Sequence, residues 1–335
     1  MRPLSPQNFR RKLYSWSDAF PRELPWIGEK DPYKIWVSEV ILQQTRAAQA
    51  IPYYHRFLSR FPDLNSLAEA PLEELLRVWE GLGYFSRAKN MYRAARIIAE
   101  NRSGRFPESY EGLLELPGIG TYSAAAISSF AFGAAHAVVD GNVNRVLSRI
   151  YGIDTPVDSS VGKKEISRLA SKLLDPDDPG RFNQAMMNFG ATHCLPSSPL
   201  CASCPFKEDC VALTLGKISL LPVKSAKKPV RENFLHYFLL FDPRGNVVLR
   251  QRSGSGIWKH LFETPGIETQ EDCDLPFNKI KEELKAAGVT MPGMKLINTA
   301  KYSHRLTHIQ LRIRFYLIQC DRKLSLLNIP EHILV

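Results

Sequence analysis

Apolar residues recur at spacings of three and four from Phe9 to about Thr192, and the spacing falls to two in the last third of the chain. The first regime predicts amphipathic helices over 8–20, from Asp31-Pro32 through Thr45, and over 50–59, 65–69, 72–79, 86–100, 108–115 and 121–131. Three more follow, headed by Asp140, Lys163 and Arg181. In the second regime HYFLLF and VVLRQR are predicted to pair as a hairpin across Asp242-Pro243-Arg244-Gly245-Asn246. LRIRFYLIQC is a further alternating strand, and NKIKEELKAAG is a helix capped by Asn278 and ended by Gly288. Such a change of period implies two architectures, an all-α region followed by an α+β domain. The boundaries read as a helical region over 1–214, a linker over 215–230 and a second domain over 231–335. Within the helical region, a six-helix module spans about 31–134, and the N-terminal segment joins 135–214 in a second module.

Chemistry enters through a few positions. Two helices flank the tight turn Leu116-Pro117-Gly118-Ile119-Gly120, which leaves amides at the start of the second helix open to a phosphate. Ile35, Glu39 and Leu42 share one helix side, so the Glu39 carboxyl is desolvated between aliphatic neighbours and favours its protonated form. The plainer alternative is a glutamate that snorkels to solvent. Asp140 heads its helix as an N-cap, and the capping amides that hold it there also favour its ionised form. A proton donor opposite a fixed carboxylate is the division of labour that cleaves glycosidic bonds.

Reaching a base inside a duplex requires its extrusion, and Gln44 and Tyr84 are wedge candidates. Tyr84 tips the flexible Gly81-Leu82-Gly83 turn, where it either packs into the core or stacks on a base. Cys194, Cys201, Cys204 and Cys210 crowd one short loop, a set suited to zinc or an iron-sulfur cluster. A single Cys-x-x-Cys pair, where zinc knuckles usually have two, favours the cubic cluster.

Charge narrows the partner. Lys plus Arg number 44 against 34 Asp plus Glu, a net +10 that favours a polyanion through counterion release. No acidic residue lies between Val211 and Arg231, while Lys217, Lys224, Lys227, Lys228 and Arg231 form a basic linker suited to a phosphate backbone. Arg181, Lys207 and Lys217 add a basic edge near the cysteines. There is no apolar run of roughly 18 residues and no signal-peptide core, so no membrane partner is expected. The expected state is a cytoplasmic, nucleoid-associated bacterial monomer that needs no soluble organic cofactor.

LPWIGEKDPYKIWVSEVILQQT, VWEGLGYFSRAKN, LPGIGTYSAAAI, VVDGNVNRVLSR, FNQAMMNFGATHC and the four cysteines together carry a resemblance. In order and spacing they resemble the MutY adenine DNA glycosylases of the helix-hairpin-helix superfamily. The resemblance implies an all-α helix-hairpin-helix glycosylase domain with an iron-sulfur loop, then an α+β Nudix-like, MutT-like domain. It implies removal of adenine mispaired with 8-oxoguanine or guanine in double-stranded DNA, leaving an abasic site for base excision repair. Glu39 then matches the group that protonates adenine, and Asp140 the one that stabilises the sugar cation, with Tyr122 and Asn142 steadying this centre. Gly118 and Gly120 hold the strand, while Gln44 and Tyr84 enter the stack and Trp26 and Leu42 border the adenine pocket.

The same resemblance makes Cys194, Cys201, Cys204 and Cys210 ligands of a [4Fe-4S] cluster. Tyr122 stands where strand-cutting endonuclease III relatives carry a lysine, which implies a monofunctional enzyme. Tyr302-Ser303-His304 matches a Phe-Ser-His loop whose serine and histidine identify the oxidised base. Lys259-His260 replaces a common Gly-Gly, and KIKEELKAAGV lacks the acidic box that holds magnesium in Nudix hydrolases. The rivals are a strand-cutting lesion enzyme on this scaffold and a non-catalytic DNA binder.

Overall fold

Short polar side chains set where the helices begin. In the computed structural model, Asp31 accepts the Tyr33 amide at 2.9 Å and Asp63 accepts the Ser66 amide at 2.8 Å. Ser5, Ser109, Ser159 and Asp178 cap their helices in the same way, each such cap adding about 0.5–2 kcal/mol. The helices are α1 (Pro6–Ala19), α2 (Pro32–Leu42), α3 (Ala47–Arg60), α4 (Leu64–Glu69), α5 (Leu72–Val78) and α6 (Phe85–Asn101). They continue as α7 (Tyr110–Leu114), α8 (Thr121–Phe132), α9 (Gly141–Tyr151), α10 (Ser160–Leu173), α11 (Pro179–Thr192) and the short α12 (Val211–Thr214). The structure describes residues 4–226, 230–252, 261–289, 293–306, 308–322, 324 and 332–334, so Lys259 and His260 lie outside the described residues.

The chain divides into two compact units, Met1–Ser225 and Ala226–Val335. The helical unit contains two main cores. Trp36, Phe57, Phe61 and Trp79 anchor the first, which α2 to α8 enclose. The second gathers Val143, Val146 and Leu147 of α9 with Phe182 and Phe189 of α11 and Phe206 of the cysteine loop. α1 belongs to this second core: Phe9, Leu13 and Trp16 are buried in it. Arg10 donates to the Leu173 carbonyl at 2.8 Å and Lys12 pairs with Asp209 at 2.5 Å. No helix among the described residues is long and apolar enough to cross a membrane.

In the second unit, β1 (Arg231–Phe241), β4 (Gly266–Thr269), β5 (Lys295–Arg305) and β6 (Ile309–Gln319) form one sheet in the order β4-β1-β6-β5. β2 (Val248–Gln251), β3 (Phe262–Glu263) and β7 (His332–Leu334) form another, in the order β3-β2-β7. The hairpin expected between HYFLLF and VVLRQR is therefore reduced to one bridge, Phe241 to Val247. β1 is hydrogen-bonded to β4 on one edge and to β6 on the other, so β2 has no edge to join.

Ile280 and Leu284 of α13 (Phe277–Ala286) pack with Phe238, Leu240, Tyr316 and Ile318. Pro276, rather than Asn278, occupies the N-cap of α13; Asn278 sits inside the first turn and its side chain accepts the Lys279 amide. In the helical unit, α2 likewise stops at Leu42, short of the expected Thr45, because Gln43 and Gln44 leave helical geometry.

Candidate active site

α2 buries every residue from Ile35 to Ile41, and Glu39 is carried into the interior with them. It is 4% exposed, and burial pushes its carboxyl up to about 7. The Tyr122 hydroxyl, hydrogen-bonded to Glu39, opposes that rise, and the charge of Asp140 adds to it. Glu39 Oε2 has no protein partner. Glu39, Leu42, Gln43, Gln44, Tyr122, Val139, Asp140, Gly141 and Asn144 line one cavity of about 380 Å³. Its volume falls in the roughly 300–1,000 Å³ range of small-molecule sites. Trp26 does not line it; that ring packs edge-on against Tyr54 at 5.5 Å.

Asp140 is the N-cap of α9, with Oδ1 accepting the Val143 amide at 2.7 Å and Oδ2 accepting Asn142 Nδ2 at 2.7 Å. Burial pushes its pKa above the usual carboxylate value, and these donors pull against that rise. Two buried carboxyls facing one cavity disfavour a second negative charge. Asp140 has the donors that stabilise an anion, so the remaining proton is held on Glu39.

A chain of contacts supports Asp140 from behind. Asn142 Oδ1 accepts Arg145 Nη2 at 2.8 Å, and Arg145 also donates to the Gly190 carbonyl at 2.6 Å and the Cys194 carbonyl at 2.8 Å. Glycine is required at 190, because a Cβ there would sit 2.5 Å from Asn142 Cβ. Arg149, one turn further along α9, donates to the Leu195 carbonyl at 2.6 Å and approaches Cys194 Sγ at 3.5 Å.

Between α7 and α8, Gly118 turns the chain at φ +82°, and a Cβ there would meet Asn90 at 2.7 Å. Gly120 is the N-cap of α8 and no side chain caps that helix, so its first-turn amides remain open to an anion. Gln44 and Tyr84 are both exposed, which rules out the core alternative for Tyr84.

Cys194, Cys201, Cys204 and Cys210 line one apolar cavity, together with Arg149 and His193. Their thiols are free, and burial pushes Cys204 up to about 11 and raises Cys201 and Cys210 too. Among the described residues no group of such side chains converges on a single ion position. Of the basic edge expected beside them, Arg181 is held by Asp18 at 2.9 Å and stacks on Tyr14. In the second unit Tyr302, Ser303 and His304 lie within β5 rather than in a loop, because all three pair with β6. Ser303 Oγ accepts Gln310 Nε2 at 2.7 Å, and Tyr302 is 60% exposed.

Cavity residues Gln43, Val139 and Asn144 and the supporting arginines are additions to the sequence reading. Asn144 stands four residues after Asp140 on the same helix, a spacing that marks a shared face. Arg145 and Arg149 interrupt the apolar face of α9, which is the signal they leave in the sequence.

A family model described as HhH-GPD superfamily base excision DNA repair protein matches residues 37–176, and a NUDIX domain model matches 236–331. An adenine DNA glycosylase of Buchnera aphidicola subsp. Baizongia pistaciae (strain Bp) is 36% identical over 310 residues, covering 91% of this chain and 84% of that protein. The chain belongs to the adenine DNA glycosylase family. The helical fold extends beyond the adenine DNA glycosylases. A thermostable thymine-DNA glycosylase superimposes with a TM-score of 0.59 at 27% identity, over 63% of this chain and 97% of its own. An endonuclease III in a non-covalent complex with DNA gives 0.55 at 26% identity, over 64% and 98%.

Proposed function

We propose that this chain is a monofunctional glycosylase that hydrolyses the N-glycosidic bond of adenine mispaired with 8-oxoguanine or guanine. The observation that carries the reading is the buried, unpartnered Glu39 oxygen in a cavity shared with Asp140, whose own oxygens accept the donors of Val143 and Asn142. Glu39 gives its proton to N7 of an extruded adenine, so the electron pair of the breaking C1′–N9 bond leaves with a neutral base. Asp140 stabilises the positive charge that develops on the sugar, and water adds at C1′ to leave an abasic site. At position 122 a lysine amine would attack C1′ and open a route to strand cleavage. Tyr122 instead offers a hydroxyl whose acidity burial holds far below that of an ordinary phenol. Ser303 and His304 on β5 read the oxidised base opposite.

The cysteine loop fits a [4Fe-4S] cluster. Four thiols lining one cavity suit a cluster that takes four thiolate ligands, and Arg149 is at hand to offset an anionic thiolate site. The cluster's contribution is structural: with it bound, Cys194 and its neighbours form a rigid backing for Arg145 and thereby for Asn142 and Asp140.

Duplexes with adenine opposite 8-oxoguanine, adenine opposite guanine, or thymine glycol test the reading. Alkali-dependent cleavage of the first two alone is the expected result. Cleavage without alkali, or excision of thymine glycol only, overturns it. Iron and sulfide in the purified protein are expected; stoichiometric zinc without sulfide would reject the cluster.

A further inference from the structure

Gln44 and Tyr84 share an uncommon backbone state. Both are non-glycine residues at positive φ, 66° and 47°, and both side chains are exposed. Left-handed backbone beneath a side chain persists only where its surroundings over-determine it. One guanidinium supplies that constraint at both places. Arg87 on α6 donates from Nη1 to the carbonyls of Val40 at 2.7 Å and Gln43 at 2.5 Å. From Nη2 it donates to the carbonyls of Leu82 at 3.1 Å and Gly83 at 3.4 Å. Gln43 and Gly83 immediately precede Gln44 and Tyr84, so Arg87 grips the peptide that leads into each left-handed residue. Its guanidinium also lies 5.6 Å from the Tyr84 ring centre and 5.3 Å from that of Trp79.

We infer that Arg87 is a positioning residue that fixes the two exposed tips as one two-pronged wedge, so that Gln44 and Tyr84 enter the base stack at a mispair together. A planar fork with donors on both arms can hold two pairs of carbonyls at once, which a lysine ammonium on a flexible stem cannot. Val40 directly follows Glu39 in α2, so the clamp also fixes the wedge relative to the proton donor. The inference rests on the glycosylase reading for the use of the wedge, but not for its geometry. A plain structural brace between α2 and α6 is the competing account, and it predicts lost stability without any loss of coupling between the tips.

The test crosses Gln44→Ala and Tyr84→Ala with Arg87→Met and Arg87→Lys in the full-length protein. One readout is the fluorescence of 2-aminopurine placed beside an adenine:8-oxoguanine mispair, which reports unstacking on binding. A second is single-turnover adenine excision, and a third is the thermal transition. With Arg87 present, either alanine replacement is expected to abolish most of the fluorescence rise, and the double replacement to do no more. In Arg87→Met the two losses become independent and multiply, and excision slows roughly a hundredfold, the scale of an ångström-level misplacement. Arg87→Lys is expected to recover the thermal transition but not the coupling, and it carries the same comparison if the methionine variant fails to fold. Independent tips in the presence of Arg87, or coupling that survives in the lysine variant, would overturn the inference. Coupled insertion by a wild-type protein that excises no adenine would defeat the glycosylase reading and support this one.

Discussion

The two units hold the side chains proposed for catalysis and for base recognition in opposite ways. In the helical unit Glu39 is 4% exposed, whereas on β5 of the second unit Tyr302 is 60% exposed and Ser303 is open to solvent. Acid catalysis near neutral pH requires a carboxyl kept dry enough to retain its proton, and only a closed core provides that. Reading a base requires donors and acceptors that water can occupy until the partner arrives, so an exposed strand is sufficient. The helical site is therefore built into folding stability, and the strand site is nearly independent of it.

The sharpest way to break this contrast is Glu39→Gln. Adenine excision is expected to fall by about a hundredfold to ten-thousandfold, the usual contribution of a general acid, with mispair binding retained. Single-turnover rates near wild type would remove Glu39 from the mechanism. The same residue sets the pH dependence: excision should decline as pH rises through about 7, where Glu39 loses its proton. In Tyr122→Phe that decline should move to higher pH, because the hydroxyl that favours the carboxylate form is gone. A pH–rate profile of both proteins checks the sign.

Stability gives a second, smaller effect. Below the ordinary glutamate range, folded and unfolded chains both carry the Glu39 proton. As pH rises the unfolded chain ionises first and the folded state loses stability, until the buried carboxyl ionises near 7. Glu39→Gln should thus be more stable than wild type by up to about 3 kcal/mol at pH 8, with the gap closing toward pH 4. Denaturant titrations at the two pH values measure it; a gap independent of pH would contradict the buried-acid picture. The smallest effect belongs to the second unit. Ser303→Ala should reduce the preference for 8-oxoguanine over guanine opposite adenine by about 1 kcal/mol, roughly fivefold, and leave the thermal transition unchanged. A destabilised variant would mean that this strand is as integrated as α2.

Much of the helical site is legible from local rules. Glu39 is marked by Ile35 and Leu42 at helical spacing, Asp140 by its place before a helix, and the cysteines by their crowding. Arg87, Arg145 and Arg149 are not legible as clamps, since each bonds to backbone carbonyls that any residue could supply. Gly190 looks like any helical glycine until α9 lies against it. The β1–β2 hairpin is misread for a related reason: alternation reveals a strand, but whether its edges are already taken depends on β4 and β6. Tyr302 to His304 are placed by pairing with β6, which the sequence pattern leaves open.

The position of α1 sets an order of events in synthesis. Phe9, Leu13 and Trp16 leave the ribosome well before their partners Phe182, Phe189 and Phe206, which lie near the far end of the helical unit. Trp16 Nε1 donates to His193 Nδ1 at 3.2 Å, and Lys12 pairs with Asp209. The α2–α8 core can assemble while its neighbour waits, but α1 remains an amphipathic segment without its core partners until α9 to α11 have emerged, and the cysteine loop then closes that core. Completion of the second core, and with it the backing of Asp140, is thus a late event that joins the two ends of this unit.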